Sequence, residues 1–330
     1  NREEFSITIP KGKSSCQSND YELAPYQIFL KNFISDSTPY NSIFIYHGTG
    51  TGKTCSAVSI AENYRDIYKN KQKRIIVLSS RNIKGGWYKN IYNPSKGTNQ
   101  CTGDEYVKLA EKRPIKDDKQ RDLLVNKYYE FSGYQKFAND IKRLVPYGKD
   151  KIRETYSNRL LIIDEVHNIR SETESKTENI LKYIEYAIRY SDNLKLIIMS
   201  ATPMYNKSTE IIWLLNMMLI NDKKEPIDES DVFDSSQRLR NSGKRVLEKA
   251  MRGRVSYIRG ETPDKFPIRL YPKDTMTYST KKLDGTPFTS TDYKLTFLKL
   301  YGTELQGTQL KTYENELKHI IHTKIGDNPE

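Results

Sequence analysis

His47-Gly48-Thr49-Gly50-Thr51-Gly52-Lys53-Thr54 follows directly on the apolar run Ser42-Ile43-Phe44-Ile45-Tyr46. A strand that enters a glycine-rich loop ending in Lys-Thr carries the residue types that cradle nucleotide phosphates. Gly48, Gly50 and Gly52 let the backbone curl around Thr49 and Thr51, so that successive N–H groups face phosphate oxygens. Lys53 brings a positive charge to the β- and γ-phosphates, and the Thr54 hydroxyl is a ligand for Mg²⁺. A helix expected from about Lys53 to Asn70 aims its positive end at the same anion. One residue departs from the G-x-x-x-x-G-K-[ST] pattern: His47 stands where the first glycine belongs.

Two further segments carry chemistry. Leu160-Leu161-Ile162-Ile163-Asp164-Glu165-Val166-His167 is a short apolar strand that delivers two adjacent carboxylates and a histidine at its carboxyl end. Buried parallel strands have this composition, and ligands bind at that end of such a sheet. Asp164 is placed to hold Mg²⁺ through water, and Glu165 to orient and deprotonate an attacking water. Ser200-Ala201-Thr202-Pro203 follows another apolar run, Leu194 to Met199. Its hydroxyls can bond both to the carboxylate site and to a neighbouring element, and the order of the three segments gives this one its meaning.

These residues need a scaffold that brings strand ends together. Strand candidates at Ser42–Tyr46, Arg74–Ser79, Tyr128–Phe131, Arg159–Ile163 and Leu194–Met199 alternate with helix-like stretches. That alternation predicts an α/β fold, a parallel sheet with helices on both faces. Ile180, Leu181, Ile184, Ala187 and Ile188 recur at helical spacing and form one buried stripe. Between about Asn93 and Lys127 the periodicity fails and Gly, Pro, Lys and Asp accumulate, which reads as a surface insertion with a short helix near Asp117–Asn126. The expected organisation is a lead-in over 1–20, a nucleotide-binding lobe over 21–250 with its insertion at about 93–127, and a further portion over 251–330.

Bulk properties agree with this reading. The formal net charge of the 330 residues is +12 and the pI about 9.3, which favours a polyanionic partner, although a solvated basic surface would give the same total. Cys16, Cys55 and Cys101 are odd in number and widely spaced, so neither a disulfide framework nor a zinc site is expected, and a reducing compartment follows. No apolar run approaches the ~18 residues of a membrane span, and no signal peptide opens the chain. The first residue is Asn rather than Met, as in a processed or truncated piece. Ser79-Ser80-Arg81-Asn82-Ile83-Lys84-Gly85-Gly86-Trp87 offers hydroxyls, an amide, cations and exposed backbone, a mix suited to nucleic-acid phosphates. Trp87 has two open roles, stacking on a base or anchoring its helix to the core, and the usual burial of Trp favours the second.

Together, Gly-Thr-Gly-Lys-Thr, Asp-Glu-Val-His and Ser-Ala-Thr resemble the first RecA-like motor lobe of superfamily 2 (DExH-box) helicases and translocases, from about Tyr26 to Pro203. With Gly253-Arg254-Val255-Ser256-Tyr257 and Phe266-Pro267 the chain is similar to the helicase-like transcription proteins of large cytoplasmic DNA viruses, to about Lys273. These include the poxvirus early transcription factor small subunit and the nucleoside triphosphate phosphohydrolase type. The abundance of Lys, Asn, Ile and Tyr fits the AT-rich coding of such a virus loosely.

The resemblance implies further assignments. Gln27, in Pro25-Tyr26-Gln27, would read the adenine of ATP, the alternative being a surface glutamine opening a helix to about Ile34. His167, with Ser200 and Thr202, would couple the nucleotide site to the nucleic-acid site, or the histidine would simply pack under the sheet. Arg81, Asn82, Lys84 and Tyr134 would grip a DNA or RNA backbone. Implied partners are a second RecA-like lobe and other transcription subunits or RNA polymerase, with the virion and host cytoplasm as the location. Strand candidates at Arg254–Ile258 and Ile268–Tyr271, with helices around Tyr293–Tyr301 and Leu310–Ile321, read as the crossover and opening of that lobe. No Gln-x-x-Gly-Arg-x-x-Arg string follows Pro203, so weak ATP binding and bare hydrolysis are expected of this piece alone. The implied activity is that of an ATP-driven motor in viral transcription, resembling an early initiation factor. Termination, duplex unwinding and chromatin-type remodelling share the motifs, and a non-catalytic motor-like scaffold is the rival.

Overall fold

A computed structural model describes residues 21–70, 73–171, 174–204, 207–259, 281, 286–289, 302 and 304–326. The chain divides into two units, 1–262 and 263–330. In the first, α1 (Pro25–Phe33) leads into β1 (Ser42–His47), and α2 (Lys53–Asn70) into β2 (Ile75–Leu78). Then come α3 (Arg81–Ile91), α4 (Glu105–Lys112), α5 (Asp118–Val125), β3 (Tyr129–Ser132), α6 (Tyr134–Leu144) and α7 (Lys149–Tyr156). The unit continues through β4 (Leu160–Ile163), α8 (Glu174–Tyr190), β5 (Lys195–Ser200), α9 (Glu210–Asn221), α10 (Glu229–Val232), α11 (Asn241–Met251) and β6 (Val255–Ile258).

The six strands form one sheet in the order β3-β2-β4-β5-β1-β6, and every pairing is parallel. Parallel neighbours require crossovers, and the helices that make them cover both faces. The strand sequences match: Ile-Ile-Val-Leu in β2 and Leu-Leu-Ile-Ile in β4 are buried at every position. Side chains alternate between two cores. Phe44, Ile76, Leu78, Leu161, Ile163, Leu196 and Ile198 face α6, α8 and α9. Ile43, Ile45, Ile75, Val77, Leu160, Ile162, Ile197 and Met199 face α1, α2 and α3. The stripe on α8 is where the spacing puts it, with Ile180, Ile184, Ala187 and Ile188 fully buried. Since all strands run one way, the ends of β1, β4 and β5 open on one rim, which is what gathers the site.

Three expectations are corrected. The strand near Arg254–Ile258, read as part of a second lobe, pairs with β1 as the edge of the first sheet, with Tyr46 opposite Tyr257. It joins there because its backbone satisfies the free edge of β1: Gly48 N–H donates to Ile258 O at 3.0 Å. The stretch 93–127 is more than a surface insertion. Besides α5 it forms α4, whose Tyr106 is fully buried, and Arg65 of α2 pairs with Glu105 at 2.9 Å. Glu62 of α2 accepts from the Tyr129 and Tyr106 hydroxyls at 2.6 and 3.4 Å, so the segment is bolted onto α2. The third correction concerns cysteine: Cys55 and Cys101, 46 residues apart, form a disulfide with Cα atoms 5.4 Å apart. Wide spacing in sequence does not fix distance across the α2–insertion contact, and with Cys55 and Cys101 paired the cysteine spacing no longer points to a reducing compartment.

The second unit contains α12 (Gly307–Gly326), which holds the apolar helix expected around Leu310–Ile321. The strand at Ile268–Tyr271 and the helix at Tyr293–Tyr301 lie outside the described residues. Among the described residues no helix is long and apolar enough to cross a membrane.

Candidate active site

The phosphate loop spans the end of β1 and the start of α2. Gly50 and Gly52 have φ of 77° and 79°, the left-handed region that glycine enters at little cost. Thr51 Oγ1 donates to Gly48 O at 2.7 Å and closes the turn. From α1, Tyr26 Oη donates to Thr51 O at 2.5 Å and Gln27 Nε2 to Gly52 O at 3.2 Å. Gln27 Oε1 accepts from Ala24 N at 2.8 Å, so this glutamine is buried and locked against the loop rather than on the surface. A Cβ on Gly52 would stand 2.9 Å from Gln27 Nε2, so a larger residue would displace that amide and strain a backbone already at positive φ.

Lys53, the first residue of α2, folds its ammonium over the loop and donates to His47 O at 3.1 Å and Gly48 O at 3.2 Å. Across the mouth, Glu165 Oε1 lies 4.0 Å away. His47 explains its departure from glycine, since its side chain leaves the loop for β6. The ring is fully buried, Nε2 is 2.8 Å from Ser256 Oγ, and Tyr26 meets it edge-on at 5.6 Å. Burial, and then the Lys53 charge, hold its pKa down at about 4, which keeps the ring neutral.

The carboxylates follow β4. Asp164 is buried, and its Oδ2 accepts from Trp87 Nε1 at 2.7 Å. Burial, with the Glu165 charge, pushes its pKa up to about 6 against the pull of the Trp87 bond. Glu165 has a φ of +45°, a strained value for a side chain of that size and one common where function over-determines the backbone. Its Oε2 is buried and accepts no hydrogen bond, His167 Nδ1 lying 3.3 Å away outside bonding geometry. His167 Nδ1 meets Ser200 Oγ at 2.9 Å and Thr202 Oγ1 at 3.3 Å, and Thr202 N–H donates to Ser200 Oγ at 3.0 Å. The structure thus joins the Asp-Glu-x-His segment to the Ser-Ala-Thr segment through the histidine, in place of simple packing under the sheet.

The residues at the rim fit a triphosphate and a divalent cation. The loop curls as a phosphate cradle must, the lysine is held by two carbonyls and one acid, and a buried acid oxygen accepts no hydrogen bond. Among the described residues no three His, Cys, Asp or Glu side chains converge on one point. A cation here would therefore be held by Thr54 and Asp164 together with phosphate and water oxygens, the usual manner of Mg²⁺.

A groove of about 640 Å³ lies beyond the carboxylates and brings together both stretches proposed for nucleic acid. Ser79, Arg81, Asn82 and Lys84 line one side, and Ser132, Gly133 and Lys136 the other. Arg81, Asn82 and Lys84 are exposed, with Lys84 Nζ over the Tyr88 and Phe131 rings at 5.7 and 5.8 Å. Tyr134 is a correction. Its ring lines the groove but is largely buried, and its hydroxyl donates to Asp164 O at 2.5 Å and is 3.3 Å from Glu165 O, so the hydroxyl braces the acid loop instead of gripping a backbone. Trp87 likewise braces Asp164 and does not stack on a base. Sequence reasoning missed both bracing roles; the available signal was an aromatic with a polar handle just past a buried strand, where such a handle needs a partner.

A smaller cavity of about 260 Å³ flanks the phosphate loop, lined by Tyr21, Gln27, Gly50, Gly52, Cys55, Asn99 and Cys101 among others.

Known proteins resemble this chain over the same region. The family described as type III restriction enzyme, res subunit, matches residues 20–205. A protein of Acanthamoeba polyphaga mimivirus, named as a candidate ATP-dependent RNA helicase, is 32% identical over 318 residues, covering 92% of this chain and 50% of the relative. A candidate helicase of Invertebrate iridescent virus 3 is 29% identical, over 74% of this chain and 24% of its own length. An early transcription factor large subunit homologue of African swine fever virus is 23% identical over 84% and 31%. That relative is named for the large subunit, where the motifs resembled the small one. The chain thus spans half or less of these relatives. The solved SWI2/SNF2 ATPase core of Sulfolobus solfataricus with dsDNA is similar at 13% identity and a TM-score of 0.45, covering 74% of this chain and 46% of that one. The fold assignment rests on strand order and site geometry rather than on that likeness. With its phosphate loop, paired carboxylates and Ser-x-Thr segment on one rim of a parallel sheet, and with the family matched over more than half its length, the chain belongs to the helicase-like res-subunit family of superfamily 2.

Proposed function

We propose that the chain is the nucleotide-binding lobe of an ATP-hydrolysing nucleic-acid motor acting in the transcription apparatus of a large DNA virus. One observation carries the reading: the Lys53 ammonium and the Glu165 carboxylate form an ion pair at 4.0 Å beside the phosphate loop, with Glu165 Oε2 buried and accepting no hydrogen bond. A terminal phosphate would enter by drawing Lys53 away from Glu165, which leaves the carboxylate beside the attacking water.

On this reading Lys53 leaves the His47 and Gly48 carbonyls for the β- and γ-phosphate oxygens, an exchange of one set of acceptors for a more strongly charged one. The loop N–H groups and the start of α2 bind the remaining charge. Bound Mg²⁺ would supply positive charge to the phosphate oxygens, with Thr54 and Asp164 as its protein ligands. Glu165 takes a proton from water as its oxygen attacks the γ-phosphorus, and ADP leaves with the bridging oxygen. Gln27, fixed between Ala24 and Gly52, presents the remainder of its amide to the base. His167 passes the state of Glu165 to Ser200 and Thr202, while Arg81, Asn82 and Lys84 hold a strand by its phosphates without reading sequence. A second RecA-like lobe and polymerase or factor subunits complete the machine. The names of the viral relatives support this setting.

The test is ATP turnover by the longest available form of the protein, with single-stranded DNA, duplex DNA or RNA, beside Glu165→Gln. Stimulation by a nucleic acid that disappears in the variant supports the motor. Silence with every nucleic acid favours the scaffold, and an active Glu165→Gln removes Glu165 as the base.

A further inference from the structure

We propose that Cys55 and Cys101 form a thiol-exchange site whose oxidation state sets the affinity of the neighbouring nucleotide site. This rests on the nucleotide reading above. Cys55 directly follows Lys53-Thr54 in the first turn of α2, whereas Cys101 lies in the insertion, and their disulfide cross-links the two.

The bond is placed where it matters to a ligand. Both cysteines line the cavity of about 260 Å³ whose other wall is Gln27, Gly50 and Gly52. The insertion supplies the facing wall through Asn99, whose Oδ1 accepts from Tyr21 N at 3.2 Å. Holding Cys101 against α2 therefore holds that wall in position beside the phosphate loop. When the bond opens, Tyr106 and the Arg65–Glu105 pair still seat α4 on α2, whereas the segment 99–101 loses its covalent tie beside the phosphate loop and the pocket-forming arrangement becomes one of several.

The chemistry of exchange is also provided for. Cys55 is buried, but Cys101 is half-buried and lines a second cavity of about 450 Å³, so a small thiol reaches Cys101 Sγ. Attack there breaks the S–S bond and releases Cys55 as a thiolate. The positive end of α2 stabilises that anion, and the Tyr21 hydroxyl, 2.5 Å from Cys55 Sγ, is placed to donate to it. A second small thiolate then attacks the mixed disulfide, freeing Cys101 and leaving as a small-molecule disulfide. In reverse, a low-molecular-weight disulfide accepts two electrons from the two thiols, is released as two thiols, and Cys55 and Cys101 lose two protons. Nothing beyond a glutathione-type couple is needed.

The test is the dissociation constant of a fluorescent ATP analogue with Mg²⁺, measured in glutathione buffers of defined ratio. The redox state is followed by maleimide labelling, beside Cys101→Ser and Lys53→Ala. We expect the oxidised chain to bind about three- to tenfold more tightly than the reduced, as when a pre-formed pocket drops to a fraction of the population. Cys101→Ser should match the reduced wild type in every buffer. Equal affinity in both states, with Lys53→Ala abolishing it, overturns the switch and leaves the nucleotide site standing. Labelling that never changes with the buffer also overturns the switch. Absence of binding in both states, unaffected by Lys53→Ala, overturns the nucleotide reading and the switch with it. The wild-type comparison alone decides the matter if a variant fails to fold.

Discussion

Replacing Trp87 by Phe keeps an aromatic ring in the core and deletes the N–H that Asp164 accepts. The bond is 2.7 Å long and the indole is 1% exposed, so water cannot substitute for it. A hydrogen bond to a charged group contributes roughly 1.5–3 kcal/mol, against roughly 0.5–1.5 for a neutral pair. Asp164 titrates at about 6 in the folded chain, so it is ionised at pH 8 and mostly protonated at pH 5. The smaller ring costs the same at both values. The destabilisation of Trp87→Phe should therefore be larger at pH 8 than at pH 5 by about 1 kcal/mol, equivalent to raising the Asp164 pKa by somewhat less than one further unit. Urea unfolding of both proteins without nucleotide reads this directly. Equal loss at the two pH values, or greater loss at pH 5, would refute the claim that the indole holds an ionised carboxylate.

Asp164 itself makes a pH prediction with a definite sign. Its folded pKa lies above the usual carboxylate value, so its contribution to stability is present below about 3.8 and is lost as pH rises through about 6, and thermal unfolding of Asp164→Asn should lose that slope. The affinity for Mg-nucleotide moves the opposite way, falling up to about tenfold per unit as pH drops below about 6, since the cation needs the ionised acid. Arg81→Ala with Lys84→Ala should weaken nucleic-acid binding for all sequences alike and reduce the salt dependence by about one ion per lost contact; an unchanged slope counts against the groove. His167→Ala should leave nucleotide affinity within about twofold while removing stimulation by nucleic acid, because the ring meets Ser200 and Thr202 rather than the loop, roughly the selectivity expected of a coupling residue.

The rim of the sheet was legible in the sequence because its residues are local. Ser42–Thr54 and Leu160–His167 each contain a strand, a turn and the reactive groups in a single run, so spacing alone relates them. What spacing does not reveal is contact between runs. Trp87 and Asp164 are 77 residues apart, Tyr134 and the same acid 30, and Cys55 and Cys101 46. The resemblance gives Tyr134 to nucleic acid, yet the carbonyls of Asp164 and Glu165 engage its hydroxyl, a contact 30 residues away that spacing does not reveal. The α4 helix is hard to see in the sequence because charged residues interrupt its short apolar set, yet Tyr106, Val107, Leu109 and Ala110 pack on the core and the Arg65–Glu105 pair ties it to α2. Strand β6 was assigned to a later lobe because order along the chain does not say which edge a strand joins.

The central claim is that Lys53 holds the phosphates of a nucleotide whose attacking water Glu165 activates. Titration calorimetry with Mg-ATP on the wild type, Lys53→Ala and Glu165→Gln, with phosphate release followed in parallel, addresses it most directly. Lys53→Ala should lose binding, while Glu165→Gln should retain it and lose release. Unimpaired binding by Lys53→Ala, or phosphate release by Glu165→Gln at the wild-type rate, would contradict the account.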